Sequence, residues 1–443
     1  MRTLDLRCQQ RLNFAPPTAT RRFTHYNASL AGLSPSEAEF RETVWDFAER
    51  VVGPVADEID LTGGKNTETL LDVHRKTGEM GLLGITVPTE ENTSSLGLSL
   101  GYFHHLLAME AMSYYSGNLC VNQISRWGTD TQKAEFLPKL MSGEFMGALA
   151  MSEPGAGSDV LGSMKTTATY VPEEHGYRLN GSKFWITNGP VADVVVVYAK
   201  DAIKASESAG PNIHTTKQTY TAFLVPRNTP GFSAGTPLDK FGMKGSPTCE
   251  LFFDNAFIPE ANVLGGPETM KGKGSKVLMS GLDLERLVLS GGPLGIMQAA
   301  YDTAVEYVHQ REQFGVKVAS FGIMQAKLAD MYTALNSART FAYAVARAVD
   351  EHAATVKGSD NSNAKNDHGY PTQRRDCAAA IMYTTEKSIE VAQECMQCLG
   401  GNGYTNDYPA ARYLRDARLY AVGAGTQEVR RWLIGREVNA DFE

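Results

Sequence analysis

The period of the hydrophobic pattern changes twice along this chain of 443 residues, and that double change restricts the fold more than any other feature. Residues 36–143 repeat apolar side chains at helical spacing, as in Phe40, Val44, Phe47 and Val51, then Leu70, Leu71, Val73 and His74 before Gly78. Ser34-Pro35-Ser36-Glu37 reads as a helix start, with Ser34 as cap, Pro35 at the first position and Glu37 at the third. Between residues 144 and 266 the period falls to two. Short β-rich runs at 147–151, 164–171, 177–187, 194–199, 221–225 and 250–253 are separated by Gly, Pro and Asn, and Asn180-Gly181 carries a hairpin signal. Helical spacing then returns in long segments at 277–311, 321–352 and 374–399, with a shorter one near the end. Strands that follow one another without helices between them point to an antiparallel barrel or sandwich, not a doubly wound sheet. The expected architecture is therefore α+β and multi-domain: an N-terminal helical domain (36–143), a middle antiparallel β-barrel (144–266) and a C-terminal four-helix bundle (267–443). Two polar stretches, 202–218 and 353–373, read as solvated loops.

Residues 1–35 differ from the rest. They carry Arg2, Arg7, Arg11, Arg21 and Arg22 with Asp5 as the only acid, and many Ser and Thr, which fits a mitochondrial presequence; the bland alternative is a disordered tail. The C-terminus, Asp441-Phe442-Glu443, is not a peroxisomal signal. Lys plus Arg number 42 against 50 Asp plus Glu, a net charge of −8, which provides no field for a phosphate backbone or an anionic membrane. No apolar stretch approaches bilayer length, so neither nucleic acid nor membrane insertion is expected. Six cysteines in a chain this long do not make a disulfide framework. Cys395 and Cys398 form a single CxxC inside a helical pattern, which reads as buried thiols before it reads as a redox or metal site.

Nucleotide motifs fail on inspection. The GxG triplets at 155–157, 401–403 and 423–425 lack the third glycine of a dinucleotide fingerprint, and no GxSxG elbow occurs. Four segments remain. MSEPGAGSD, from Met151 to Asp159, leaves a strand and offers backbone N–H groups with Ser152 and Ser158, suited to an anionic or carbonyl-rich ligand, unless it is a simple turn. FWITNG places Trp185 and Thr187 on one face by alternation, a flat aromatic and a hydroxyl able to hold an isoalloxazine. Glu285 stands among Leu282, Leu284, Leu287, Val288 and Leu289, where burial would raise its pKa toward that of a useful base; the alternative is an ion pair with Arg286 or a bundle neighbour. VGAGTQE puts small residues and Thr426 ahead of a helix, where backbone comes close to something.

Together with REQFG (from Arg311), QCLGGNGYTNDYP (from Gln397) and GAGTQEVRR (from Gly423), these segments resemble the flavin-dependent acyl-CoA dehydrogenases, over the chain from about Ser36 to the end. The resemblance implies a fold of helical, β and helical domains and FAD as cofactor. It implies that Leu149, Ala150, Met151, Ser152, Glu153, Pro154, Gly155, Ala156, Gly157 and Ser158, with Trp185, Ile186 and Thr187, hold the flavin, Ser152 and Thr187 by hydrogen bonds to the ring and Trp185 by covering it. Ser158 also matches a residue that contacts acyl-CoA. Arg311 and the run Gln397, Cys398, Leu399, Gly400 and Gly401 match positions that bind the FAD of a neighbouring subunit in a homotetramer, and Thr426, Gln427 and Glu428 match further FAD contacts. Most of the family carries its base just before the Gly-Thr of the terminal motif, where this chain has Ala424. The branch that oxidises isovaleryl-CoA has its glutamate within LDLER instead, which here makes Glu285 the α-proton acceptor, with Asp283, Leu284, Arg286, Ala424 and Gly425 beside the substrate.

What the resemblance implies for chemistry is a β-hydride passing to flavin N5 as Glu285 takes the α-proton, the thioester carbonyl held by the Ala424 N–H and a ribityl hydroxyl of FAD. Isovaleryl-CoA would become 3-methylcrotonyl-CoA in leucine breakdown in the mitochondrial matrix, with electron-transfer flavoprotein as acceptor. Small residues at Gly423 and Ala424 leave room for a branched chain. Three departures bear on chain length and flavin contacts: a segment near Ser116 to Cys120 looks shortened, Lys276 and Gly322 stand where relatives usually have Tyr and Gln, and 88–97 lacks a Tyr-Gly-Gly turn. A longer-chain specificity and an inactive homologue with a binding or assembly role are the alternatives.

Overall fold

Ser34 and Glu37 form a full capping box: the Glu37 carboxylate accepts from the Ser34 N–H at 2.7 Å while the Ser34 hydroxyl accepts from the Glu37 N–H at 3.3 Å. In the computed structural model, which describes residues 26–27, 29–63, 66–88, 98–112, 119–202, 218–357 and 374–442, that box opens helix α1 (Pro35–Phe47). Most of the leader (1–25 and 28), the 88–97 turn beyond Pro88, most of the shortened segment (113–118) and the loop residues 203–217 and 358–373 lie outside the described residues. A π-turn at Ala48–Val52 leads into α2 (Gly53–Thr62), followed by α3 (Thr67–Glu79), α4 (Tyr102–Met112), α5 (Leu119–Trp127) and α6 (Asp130–Ser142). Helix α4 is apolar on nearly every side and buried accordingly. Its first N–H groups, from Tyr102 and Phe103, donate to Asp350 at 2.8 and 2.9 Å, a cap supplied from the bundle more than two hundred residues away.

The middle region holds β1 (Gly147–Ala150), β2 (Thr167–Val171), β3 (Gly176–Thr187), β4 (Val194–Asp201), β5 (Tyr220–Pro226), β6 (Phe232–Ala234) and β7 (Thr248–Pro259) in one sheet of order β1-β4-β2-β3-β7-β6, with β5 on the other edge of β4. Most pairings are antiparallel, but β1 and β2 run parallel to β4. The hairpin expected at Asn180-Gly181 is instead a bulge inside a continuous β3. Pairing with β2 on one side and β7 on the other keeps the strand extended through this dipeptide, and the extra residue is absorbed by a register shift. Gly181 is required there: at φ +140 a Cβ would stand 2.7 Å from the Thr166 backbone. The β2–β3 turn itself is made by Pro172–Glu174 and by His175 at φ +48.

After the short α7 (Pro267–Met270) come α8 (Gly274–Leu289) and α9 (Gly291–Gln310), a two-stranded ribbon β8 (Glu312–Gln313) and β9 (Val316–Lys317), then α10 (Gly322–Lys357), α11 (Arg374–Leu399), α12 (Ala410–Tyr420) and α13 (Gln427–Ala440). Two expectations are corrected here. The segment 277–311 is not one helix but two, because Pro293 has no N–H for the Leu289 carbonyl and the Ser290 hydroxyl satisfies the Leu287 carbonyl instead, at 2.5 Å. The loop expected from 353 starts later, since α10 continues through Ala353 to Lys357 with Ala353 still buried.

One apolar core fills the bundle and a second lies within the sheet. A third joins them, bringing Ile124 of α5, Tyr198 of β4, Leu224 of β5 and Leu278 and Leu282 of α8 together, with Leu149 and Met151 packed against it. Cys395 and Cys398 sit in the bundle core as free thiols whose burial pushes both pKa values up, so the structural reading of the CxxC holds. Among the described residues no helix is long and apolar enough to cross a membrane.

Candidate active site

The glycine-rich turn after β1 is anchored from beneath. Glu153 and Ala156 exchange backbone hydrogen bonds of 3.0 Å, and the Glu153 side chain, only 3% exposed, turns inward. Its carboxylate accepts from Lys165 N–H at 2.6 Å, Thr166 N–H at 3.0 Å and the buried Lys183 ammonium at 2.9 Å, while Lys183 also donates to the Met151 carbonyl at 3.1 Å. Burial works against the charge on Glu153, but Lys183 and these donors outweigh it and hold the carboxyl below the usual range. Glu153 is thus a strut of the turn.

Above that strut the two segments singled out in the sequence meet. Phe184 N–H donates to the Ser152 carbonyl at 2.9 Å, joining β3 to the turn. A second bulge follows, between Lys183 and Ile186, where Trp185 takes φ +58 and swings outward; it is 54% exposed, with its ring edge-on to Phe184. A Cβ placed on Gly157 would meet only the Trp185 ring, at 4.0 Å, and one on Gly155 would meet nothing. An indole therefore borders a side-chain-free stretch of backbone, with Ser152 and Thr187 half-buried alongside. Ala150 and Ile186 point into the sheet core, so any contact they make with a ligand is through backbone.

Glu285 lies on the last turns of α8, and the ion pair with Arg286 is absent. Arg286 reaches the other way: Nη1 donates to Asp283 at 2.9 Å and Nε to the Ala424 carbonyl at 3.2 Å. The second oxygen of Asp283 accepts from Arg374 at 3.2 Å, so Asp283 is a structural partner in this network. Among the described residues no side chain pairs with Glu285, and burial pushes its carboxyl up to about 7 against the opposing pull of Arg286 and Arg430. The turn bridged by Arg286 is unusual: Ala424 sits at φ +53 and Gly425 at φ +99. Thr426 caps α13 by accepting from Val429 N–H, and the buried Gln427 side chain is consumed by Arg430 and the Met382 carbonyl.

Arg311, Gln397, Gly400 and Gly401 lie elsewhere. They cluster where α9 and α11 end, linked through Tyr307, whose hydroxyl accepts from Asn402 at 2.9 Å. Helix α9, with its 20 residues, puts about 30 Å of helix between that cluster and Ser290 next to the end of α8. Cys398 and Leu399 are buried in the bundle, while Phe314 (94% exposed) and Tyr404 (87%) stand out beside the cluster. Within one chain that cluster and the end of α8 that carries Glu285 therefore stand at opposite ends of α9. Lys276 lies over the Trp127 ring at 5.6 Å, and Gly322 faces open space.

Two residues without an assigned role also border Glu285. Arg430, 1% exposed, donates to the Gly423 carbonyl at 2.6 Å, and the buried Tyr198 hydroxyl of β4 has no hydrogen-bond partner among the described residues. Arg430 falls inside GAGTQEVRR, but its neighbour Arg431 has the same residue type, and only the helix register separates a buried from an exposed arginine. Tyr198 carried no signal beyond a β-strand position.

Three family models cover almost all of the described chain: the acyl-CoA dehydrogenase N-terminal domain over residues 34–144, the middle domain over 148–256 and the C-terminal domain over 272–439. The chain belongs to the acyl-CoA dehydrogenase family. It is 47% identical over 426 residues to the mitochondrial isovaleryl-CoA dehydrogenase of Pongo abelii, spanning 94% of this chain and 91% of that one. It is 46% identical over 416 residues to the mitochondrial 2-methylacyl-CoA dehydrogenase of Solanum tuberosum, spanning 92% and 91%. Among solved structures, an acyl-CoA dehydrogenase from Bacillus anthracis complexed with FAD superposes with a TM-score of 0.79 at 28% identity, covering 93% of this chain and 67% of that one. This relationship accounts for the order of helical, β and helical regions, which is the acyl-CoA dehydrogenase fold.

Proposed function

We propose that Glu285 is the base that takes the α-proton of a short branched-chain acyl-CoA, on the strength of one observation: a carboxylate whose burial pushes its pKa up to about 7, beside a positive-φ turn, with no cation paired to it among the described residues. The chain is an FAD-dependent acyl-CoA dehydrogenase, and isovaleryl-CoA to 3-methylcrotonyl-CoA is the reaction supported by relatives at 46–48% identity. The residues fit the cofactor, since the side-chain-free backbone at Gly155 and Gly157 and the outward indole of Trp185 frame a flat surface with hydroxyls at Ser152 and Thr187. When bound, FAD supplies the acceptor for the β-hydride. The protein's share is to hold the thioester oxygen at the Ala424 N–H, so that charge developing there is met by a donor already in place, while Glu285 removes the proton. With the lone pair of Glu285 as base, the C–H electrons form the new double bond and the proton stays on the carboxyl.

Thr426, Gln427 and Glu428 extend the cofactor site at the α13 start, and Arg311 with the segment 397–401 serves the FAD of a neighbouring subunit in a homotetramer. The exposed Phe314 and Tyr404 beside that segment support this sharing. Ser158, exposed at the rim of the turn, contacts acyl-CoA, as do Leu284 and Gly425. The mitochondrial relatives and the arginine-rich leader support a mitochondrial location, here taken as the matrix, with electron-transfer flavoprotein as acceptor.

Anaerobic addition of isovaleryl-CoA to FAD-loaded protein tests the reading. Rapid bleaching of the flavin absorbance is expected, and a spectrum that stays oxidised would reject the substrate. The 2-methylacyl-CoA relative favours one further reading, an α-branched substrate. A panel of 2-methylbutyryl-CoA, isobutyryl-CoA and longer acyl-CoAs separates the two by rate, and silence toward all of them would leave the inactive homologue.

A further inference from the structure

Arg430 is a buried cation that no carboxylate among the described residues pairs with at hydrogen-bond distance. Nη1 donates to Gln427 Oε1 at 2.5 Å and Nη2 to the Gly423 carbonyl at 2.6 Å, while Nε has no partner. Burial and the nearby Arg286 push its pKa down to about 10, and only the fields of Glu285 and Glu386 support the charge. An arginine placed in this way costs stability. Its contact explains the position: the Gly423 carbonyl and the Ala424 N–H are the two ends of one peptide unit. A cation on the oxygen draws electron density toward it and makes the N–H at the other end a stronger donor. The same contact restrains the turn in which Ala424 adopts φ +53, a conformation that a non-glycine residue keeps only when its surroundings hold it. Arg286 does the equivalent for the next peptide through the Ala424 carbonyl.

We propose that Arg430 is a positioning residue for the dehydrogenation: by bonding the Gly423 carbonyl it fixes and polarises the Gly423–Ala424 peptide, strengthening the N–H that holds the thioester oxygen. This rests on the reading that the Ala424 N–H is that donor. Arg430 touches neither substrate nor reacting atoms; it acts through one amide.

Isotope-edited infrared spectroscopy tests it with the FAD-loaded protein and 3-methylcrotonyl-CoA labelled at the thioester carbonyl, a product that binds without turnover. In the parent protein the carbonyl band lies below its frequency in water. In Arg430→Met part of that displacement is lost, and anaerobic flavin reduction slows about tenfold with a smaller change in the half-saturating acyl-CoA concentration, since weakening a donor costs less than the roughly 10²–10³ of deleting one. Arg430→Lys restores part of both. Gln427→Glu, which sets a carboxylate against the guanidinium without removing it, moves the band in the same direction by less, and carries the test if Arg430→Met does not fold. A band displaced equally in parent, Arg430→Met and Gln427→Glu would overturn the role of Arg430. A parent band at its aqueous frequency would instead overturn the donor reading beneath it.

Discussion

Glu285→Gln separates what this carboxylate does for catalysis from what it costs the fold. In the folded protein burial raises the carboxyl from its ordinary value of 4.5 to about 7, so between those values the native state holds a proton that the unfolded chain has lost. Unfolding free energy therefore falls as pH rises through that window: the destabilisation is small below pH 4.5, about 1 kcal/mol near pH 5.5 and about 3 kcal/mol at pH 8. Glutamine has nearly the same shape and no charge to desolvate. The variant is expected to resist urea better than the parent at pH 8, with most of that gain gone near pH 5.5, while flavin reduction by isovaleryl-CoA slows by roughly 10²-fold or more. Urea unfolding at the two pH values and anaerobic stopped-flow measure the two effects on one preparation. A variant no more stable than the parent at pH 8 would refute the burial argument, and an undiminished rate of reduction would remove Glu285 from the mechanism.

Three other outcomes are expected. Because the base must be ionised, the rate of flavin reduction at low acyl-CoA should climb through a midpoint at about 7 to a plateau roughly one pH unit higher, and a flat profile from about pH 6 to 8.5 would contradict it. Lys183→Met leaves Glu153 buried without its cation beneath the glycine-rich turn proposed to hold flavin, which should cost about 3–5 kcal/mol in urea unfolding and loosen FAD; unaltered stability would mean that the turn does not depend on this strut. Arg311→Ala should release flavin about tenfold more readily on dilution, the scale of one charge-assisted hydrogen bond, and equal retention would count against a shared site.

Where local chemistry and tertiary context agree, the chain is readable. The Ser34 to Glu37 box, the start of α13 at Thr426 and the turn after β1 are short-range events whose determinants lie within a few residues. The bulge at Asn180-Gly181 shows the limit, because a turn-forming dipeptide was outweighed by strands on both sides that come from residues up to about eighty positions away. Glu153 shows it differently: the turn that contains it follows β1 as its residues suggest, yet its side chain is tied to Lys183, thirty residues on, a contact no local pattern announces.

The order of periodicities already determined that this chain is helical, then β, then helical, because residue identity and local spacing suffice for that, while Glu285 in place of residue 424 as the base is what the family resemblance implies. Tertiary structure alone decided the rest. It set Arg286 against Asp283 and Ala424, left Glu285 without an ion-pair partner among the described residues and turned Arg430 back onto the Gly423 carbonyl. Electrostatic strength depends on distance and on exclusion of water, and both arise only when α8, the 423–425 turn and α13 close on one another.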